Sequence, residues 1–260
     1  MTTKRTILSE KELKLIEAIV ERYGIIVTFS QICTILKHSI SRQGIRNLAS
    51  KLEKNGWFVR IKKGVYVITS LESRGFTALH AFKIAQVLVK DSYISFEAAL
   101  QQHGMFDQYL STIVSIALSR YSTEEIQKTR YKFIKVGKEH FYGWQEERVE
   151  SYLIKIATPE KAILDILSFG RNTYSIDLVL EKLREHKDDI NFERLNKFSE
   201  KQTVAVRRIL GFLLDKLSID SSHIYDRIKG LKNCSYMTKD SDKFNAKWRL
   251  YCDPNFVDTI

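Results

Sequence analysis

The hydrophobic period of this chain changes abruptly at Gly56. Before it, apolar residues recur at helical spacing. After it, β-branched and aromatic residues follow one another in short runs. Ser9 with Glu12 three residues on spells a capping box and starts a helix that runs to about Tyr23. Leu13, Ile16, Ile19/Val20 and Tyr23 supply its apolar face, and Gly24 stops it. Ile25-Ile26-Val27 reads as a short extended piece. Ser30 caps a short second helix through Leu36, with Ile32, Ile35 and Leu36 inward, and residues 38–41 form a turn. Ser41 caps a third helix to about Asn55, whose buried stripe is Ile45, Leu48, Ala49 and Leu52. Trp57–Ile61 and Val65–Ile68, joined by Lys62-Lys63-Gly64, then read as a β-hairpin with a basic tip.

Three helices and a hairpin within seventy residues is the layout of a winged helix-turn-helix. In that layout the third helix keeps one face for the core and offers the other to the DNA major groove. The outer face here is Ser41, Arg42, Gln43, Arg46, Asn47, Ser50 and Lys51, and no acid interrupts it before Glu53. Arg bonds guanine bidentately, and Asn or Gln does the same to adenine. The hairpin adds Arg60, Lys62 and Lys63, cations suited to backbone phosphates or the minor groove. The competing readings are a winged helix used for protein contacts and an ordinary amphipathic helix.

Charge follows the same division. Residues 1–70 hold 13 Lys/Arg against 5 Glu and no Asp, a balance of +8 out of +11 for the whole chain. A basic block joined to a nearly neutral remainder suits a polyanion-binding module with a partner module behind it; the alternative is a solvated basic face. Two prolines and no Gly or Ser runs leave no long linker, and no repeat is visible. Cys33, Cys234 and Cys252 are odd in number and far apart, so they spell neither a disulfide framework nor a zinc site. The first residues lack the apolar core of a signal peptide, and no apolar run reaches membrane-spanning length. The expectation is a cytoplasmic chain with no membrane association.

Behind the block, a helix over 75–90 reads as a linker. Ser95 caps a helix ending at Gly104, and residues 112–117 are extended. In 129–136 the cations Arg130, Lys132 and Lys135 alternate with Tyr131, Phe133 and Val136, as in a half-exposed strand with a basic face. That face has three readings: solvated surface, second nucleic-acid contact, or partner contact. Residues 149–156 read as a further strand. Thr158-Pro159-Glu160 starts a helix to Phe169, residues 175–217 are mainly helical, and 248–251 form a last strand. The rear part is α+β. Pro159-Glu160-Lys161 has the residue types of a metal-dependent nuclease's acid–lysine pair. Helix-start chemistry, with Asp165 as the i,i+4 partner of Lys161, accounts for it better. His103 and His140 lack metal-ligand spacing, and there is no phosphate-binding glycine loop, so neither metal nor cofactor is expected.

The order of several short segments resembles one known family. They are Gly64-Val65-Tyr66 after the hairpin tip, then Tyr93-Ile94-Ser95, Ala99-Leu100, His103-Gly104 and Asp107-Gln108. Thr129-Arg130-Tyr131-Lys132-Phe133 and Phe141-Tyr142-Gly143 follow, and then residues 157–165 and 207–214. Together they resemble the AbiEi family, the antitoxin and transcriptional repressor of AbiE (type IV) toxin–antitoxin systems. Lys229–Lys247 is more lysine-rich than the family pattern.

The resemblance implies a bacterial protein that binds inverted repeats of double-stranded operator DNA at its own promoter. It also implies opposition to a toxin of nucleotidyltransferase fold, without a tight complex between the two. The expected architecture is α+β: a winged helix in 1–70, a linking helix in 71–92 and a larger α+β domain in 93–260. The expected function is a repressor and antitoxin rather than an enzyme. A stand-alone transcriptional regulator is the alternative, and a degenerate nuclease ranks below both.

Overall fold

The computed structural model describes residues 7–71, 73, 75 and 79–256. It is a mixed α+β chain in two compact units: Met1–Lys90 with Glu125–Lys128, and Asp91–Glu124 with Thr129–Ile260. No helix among the described residues is long and apolar enough to cross a membrane.

The first unit opens with α1 (Glu10–Tyr23). Its capping box is complete: the Ser9 hydroxyl accepts from the Glu12 amide, and the Glu12 carboxylate accepts from the Ser9 amide. The buried face differs from the expected one. Glu12, Leu15 and Ile19 point inward, while Leu13 and Val20 are exposed. After β1 (Ile26–Thr28), α2 (Phe29–Leu36) starts two residues earlier than Ser30 would place it. Thr28 and Gln31 form a second capping box, and their paired hydrogen bonds outcompete a start at Ser30. Next come α3 (Arg42–Lys54), β2 (Phe58–Lys62) and β3 (Val65–Ile68). The strands form an antiparallel sheet in the order β1-β3-β2. Leu15, Ile19, Val27, Ile32, Ile45, Leu52, Trp57, Phe58 and Ile68 fill one core between helices and sheet. The expected 75–90 helix is present as α4 (Ala81–Leu88), capped by His80 Nδ1 accepting from the Phe82 amide. Residues 76–78 of that expectation lie outside the described residues. The helix groups with the first unit.

The remaining chain begins with β4 (Ser92–Ile94), α5 (Phe96–Gln102), β5 (Thr112–Ala117), β6 (Glu124–Ile126) and β7 (Thr129–Lys135). β8 (Trp144–Val149) and β9 (Tyr152–Ala157) complete a sheet of order β6-β7-β5-β4-β9-β8. The expected strand over 149–156 is β9 for most of its length, and it is the second arm of a hairpin whose first arm, β8, ends at Val149. Glu150 adopts a left-handed conformation, φ 52°, and turns β8 back onto β9. Five helices follow: α6 (Pro159–Phe169), α7 (Thr173–Glu185), α8 (Phe192–Ser199), α9 (Val204–Lys216) and α10 (Ser222–Asp226). A last small sheet joins β10 (Ser235–Tyr236), β11 (Lys243–Asn245) and β12 (Leu250–Cys252) in the order β10-β12-β11.

Trp248 was expected within the final strand. It precedes β12, and its ring lies almost fully buried against α9. The indole N–H donates to Asp215 Oδ2 at 2.7 Å, which fixes the ring. Gly211 is what lets it approach: a Cβ there would lie 2.1 Å from the ring. Gly→Ala inside a helix ordinarily stabilises by about 1 kcal/mol. Here the sign inverts, because the added methyl meets a ring that cannot retreat. Gly211→Ala is expected to lower stability by about 1–3 kcal/mol in urea unfolding, and a stabilised variant would refute this packing account.

Candidate nucleic-acid interface

α3 divides cleanly into two faces. Ile45, Ala49 and Leu52 are buried, and Leu48 is half-buried beside them. Ser41, Arg42, Gln43, Arg46, Asn47, Ser50 and Lys51 are all exposed. The Ser41 hydroxyl accepts from the Gly44 amide at 3.2 Å, so this residue is the helix cap. Gln43, Arg46 and Asn47 are linked across one turn. Gln43 Nε2 donates to Asn47 Oδ1 at 3.0 Å, and Arg46 Nη1 donates to Gln43 Oε1 at 3.4 Å. This holds three base-reading side-chain types in one register on the outer face. Arg42 turns toward α2, where it shares an open groove of about 460 Å³ with Ser30, Thr34 and Lys37. Lys37 is exposed beside it, and sequence reading passed over it because it lies in the α2–α3 connection rather than on a periodic face.

Two of the expected cations are committed elsewhere. Lys51 Nζ lies 2.8 Å from Glu12 Oε1 and so ties α3 to the start of α1. Burial alone would raise the Glu12 carboxyl, but Lys51 and the Ser9 cap outweigh it and hold the group below its ordinary range. Lys62 is half-buried, and its Nζ donates to the Leu88 carbonyl at 2.9 Å, at the end of α4. Among the described residues, Arg60 and Lys63 of the hairpin make no ion pair, and both are exposed. Gly64, with φ 74°, takes the left-handed position of the two-residue turn and leaves Lys63 at its tip.

On β7, Arg130, Lys132 and Lys135 are all exposed. Successive side chains of a strand point to opposite faces. Arg130 and Lys132 therefore share a face, and Lys135, three residues beyond Lys132, falls on the other. The three do not form one basic stripe.

The segments around Tyr93, Tyr142 and residues 160–165 meet in the core of the second unit. Asp165 is fully buried and forms an ion pair with Lys161, itself 2% exposed. The Ser95 hydroxyl donates to Asp165 at 2.7 Å and the Tyr93 hydroxyl at 3.2 Å. Burial pushes the Asp165 carboxyl above its usual range against the pull of Lys161 and the two hydroxyls. Lys161 Nζ also lies 4.7 Å from the centre of the Tyr142 ring. Ser95 was expected to cap α5, but its hydroxyl is spent on Asp165 and makes no cap bond. Glu160 is buried too. It accepts from the Asn191 amide at 2.9 Å and pairs with Arg194 at 3.2 Å, joining α6 to the start of α8. His103 Nε2 lies 2.8 Å from the Ala157 carbonyl, to which its N–H donates. Among the described residues, no group of three His, Cys, Asp or Glu is placed to hold a metal ion.

The chain is similar in fold to a solved bacterial protein. Rv2827c of Mycobacterium tuberculosis superposes with a TM-score of 0.67 at 12% identity, over 96% of this chain and 94% of that one. At that identity the likeness is one of fold. No family model matches the sequence, and no curated protein matches it.

The placement of Glu160, Lys161 and Asp165 yields a test of their role. Breaking a buried ion pair leaves an uncompensated charge, so Asp165→Ala is expected to cost about 3–5 kcal/mol in chemical unfolding. The double variant Lys161→Met/Asp165→Leu is expected to recover much of that loss. If Asp165→Ala unfolds like the native chain, the pair is not structural and an acid–lysine chemistry returns to consideration.

Proposed function

We propose that the first unit is a winged helix-turn-helix that reads double-stranded operator DNA. α3 lies in the major groove and the β2–β3 hairpin is the wing. The observation that carries this reading is the outer face of α3. It presents Arg42, Gln43, Arg46 and Asn47 on the N-terminal half of a 13-residue helix, with the opposite face in the core. Such a helix is about 20 Å long and fits a groove about 12 Å wide. The base-reading residues of recognition helices sit at that same N-terminal end. Arg60 and Lys63 on the hairpin are free to neutralise phosphates.

The wider role rests on the family resemblance. The chain is a cytoplasmic antitoxin of AbiEi type that represses its own operon and counteracts a nucleotidyltransferase-fold toxin. Two of the segments that carry the resemblance, Tyr93-Ile94-Ser95 and residues 157–165, meet at Asp165, which accounts for Tyr93, Ser95, Lys161 and Asp165 by the needs of one core. Co-expression with the toxin encoded beside it is expected to restore growth. Operator binding without rescue replaces this reading with a stand-alone regulator.

Binding measurements on the DNA upstream of its own gene test the reading face. Arg46→Ala is expected to relax operator preference by about 1–3 kcal/mol for a lost bidentate contact. Lys63→Ala is expected to weaken all sequences alike and lower the salt slope by about one. Lys62→Ala is expected to act mainly through stability, since its ammonium is held by Leu88. An Arg46→Ala variant with unchanged operator preference removes α3 from the readout.

A further inference from the structure

A second candidate binding site lies in the second unit, at the junction of α6 with the small C-terminal sheet. Phe169 at the end of α6, Arg171 just after it, and Tyr236, Thr238 and Lys239 from β10 onward line a cavity of about 630 Å³. Cavities of about 300–1,000 Å³ take small organic ligands. Both rings at this cavity are open to solvent: Phe169 is 46% exposed and Tyr236 56%. Exposure of large rings at one concave place points to a ligand rather than to packing.

The orientation of Tyr236 is fixed from behind. Strand register sets Tyr236 opposite Tyr251, and Tyr251 opposite Phe244, so the three rings rise from one face of the sheet. Tyr236 and Tyr251 are stacked, with centroids 4.7 Å apart and planes 10° from parallel, and Phe244 packs on Tyr251 at 5.1 Å. Tyr236 thus turns one ring face to Tyr251, and the same residue lines the cavity.

Charge at the cavity has one sign. Arg171 and Lys239 are exposed, and neither makes an ion pair among the described residues. No lining residue is acidic. Asp253, on the supporting side, is buried and accepts from Thr173, Thr238 and Asn255; Asp240, which follows Lys239, is exposed and is not among the lining residues. The segment 227–251 as a whole holds seven Lys/Arg against two Asp. A stacking surface beside two free cations matches a ligand with an aromatic ring and an attached anion.

We propose that this cavity binds a nucleotide unit, with the base stacked on Tyr236 and the phosphate held by Arg171 and Lys239. The unit is either a free mononucleotide or one residue of a single strand. The site is built from residues of the second unit and the α3 face from residues of the first, and neither reading depends on the other.

Calorimetric titration of the full chain with AMP, GMP, adenosine, inorganic phosphate and a short oligouridylate tests it. One-to-one binding of a mononucleotide assigns a free nucleotide; binding of the oligomer alone assigns a strand. Stacking on one ring predicts that Tyr236→Ala weakens binding about tenfold. Tyr236→Phe is expected to keep the native affinity, because the ring remains. Arg171→Ala is expected to weaken the phosphate-bearing probes and leave adenosine unchanged. Arg46→Ala is expected to leave every one of these affinities intact, which keeps this site distinct from operator binding. The proposal is overturned if neither nucleotides nor oligomer bind below millimolar concentration, or if Tyr236→Ala binds them like the native chain.

Discussion

Asp165 is a carboxylate with no access to water, and the second unit is arranged around satisfying it. A buried charge is tolerated only when it is paired and hydrogen-bonded. Lys161 supplies the pairing from one turn earlier in α6, while Tyr93 and Ser95 supply hydroxyls from β4 and its end. These contacts fix α6 against the centre of the sheet. Gly143 belongs to the same arrangement: a Cβ there would lie 2.9 Å from the Lys161 side chain and 2.9 Å from the Phe198 ring. Glu160 then fastens the other side of α6 to α8. With its first turns locked in this way, α6 delivers Phe169 and Arg171 to the cavity at its far end.

The first unit solves a simpler problem. Its helices are amphipathic, and burying one face of each leaves the other in water. On α3 that outer face is basic and amide-rich, so the hydrophobic effect that builds the core also leaves Arg42, Gln43, Arg46 and Asn47 exposed. The pairing of Lys51 with Glu12 trims that exposed set, since it holds the cation against α1. The hairpin is trimmed likewise. Lys62 is tethered to α4, while Arg60 and Lys63, the latter beside the left-handed Gly64, stay exposed.

What could be read from sequence was whatever depends on short-range pattern. Capping residues, periodicity and the Lys63-Gly64 turn fixed the order of helices and hairpin in the first seventy residues, and Thr158-Pro159 placed the start of α6. The errors arose where a local signal was outcompeted. Ser30 gave way to the capping box of Thr28 and Gln31. On α1 Ile19 is buried as its spacing indicates, but Leu15 takes the inner place of Leu13, and Val20 is exposed. Residues 144–157 hid a hairpin because Glu150, an ordinary residue, takes the left-handed turn.

By itself, then, the sequence determined a basic helical block with a polar outer face on its third helix, because amphipathic spacing is a property of neighbours along the chain. It could not show that Tyr93, Ser95, Lys161 and Asp165 share one buried site, nor that Phe169 and Arg171 stand beside Tyr236 and Lys239. Those residues lie some seventy positions apart. Only the packing of α6 against β4 and the C-terminal sheet brings them within reach, where desolvation and stacking begin to act.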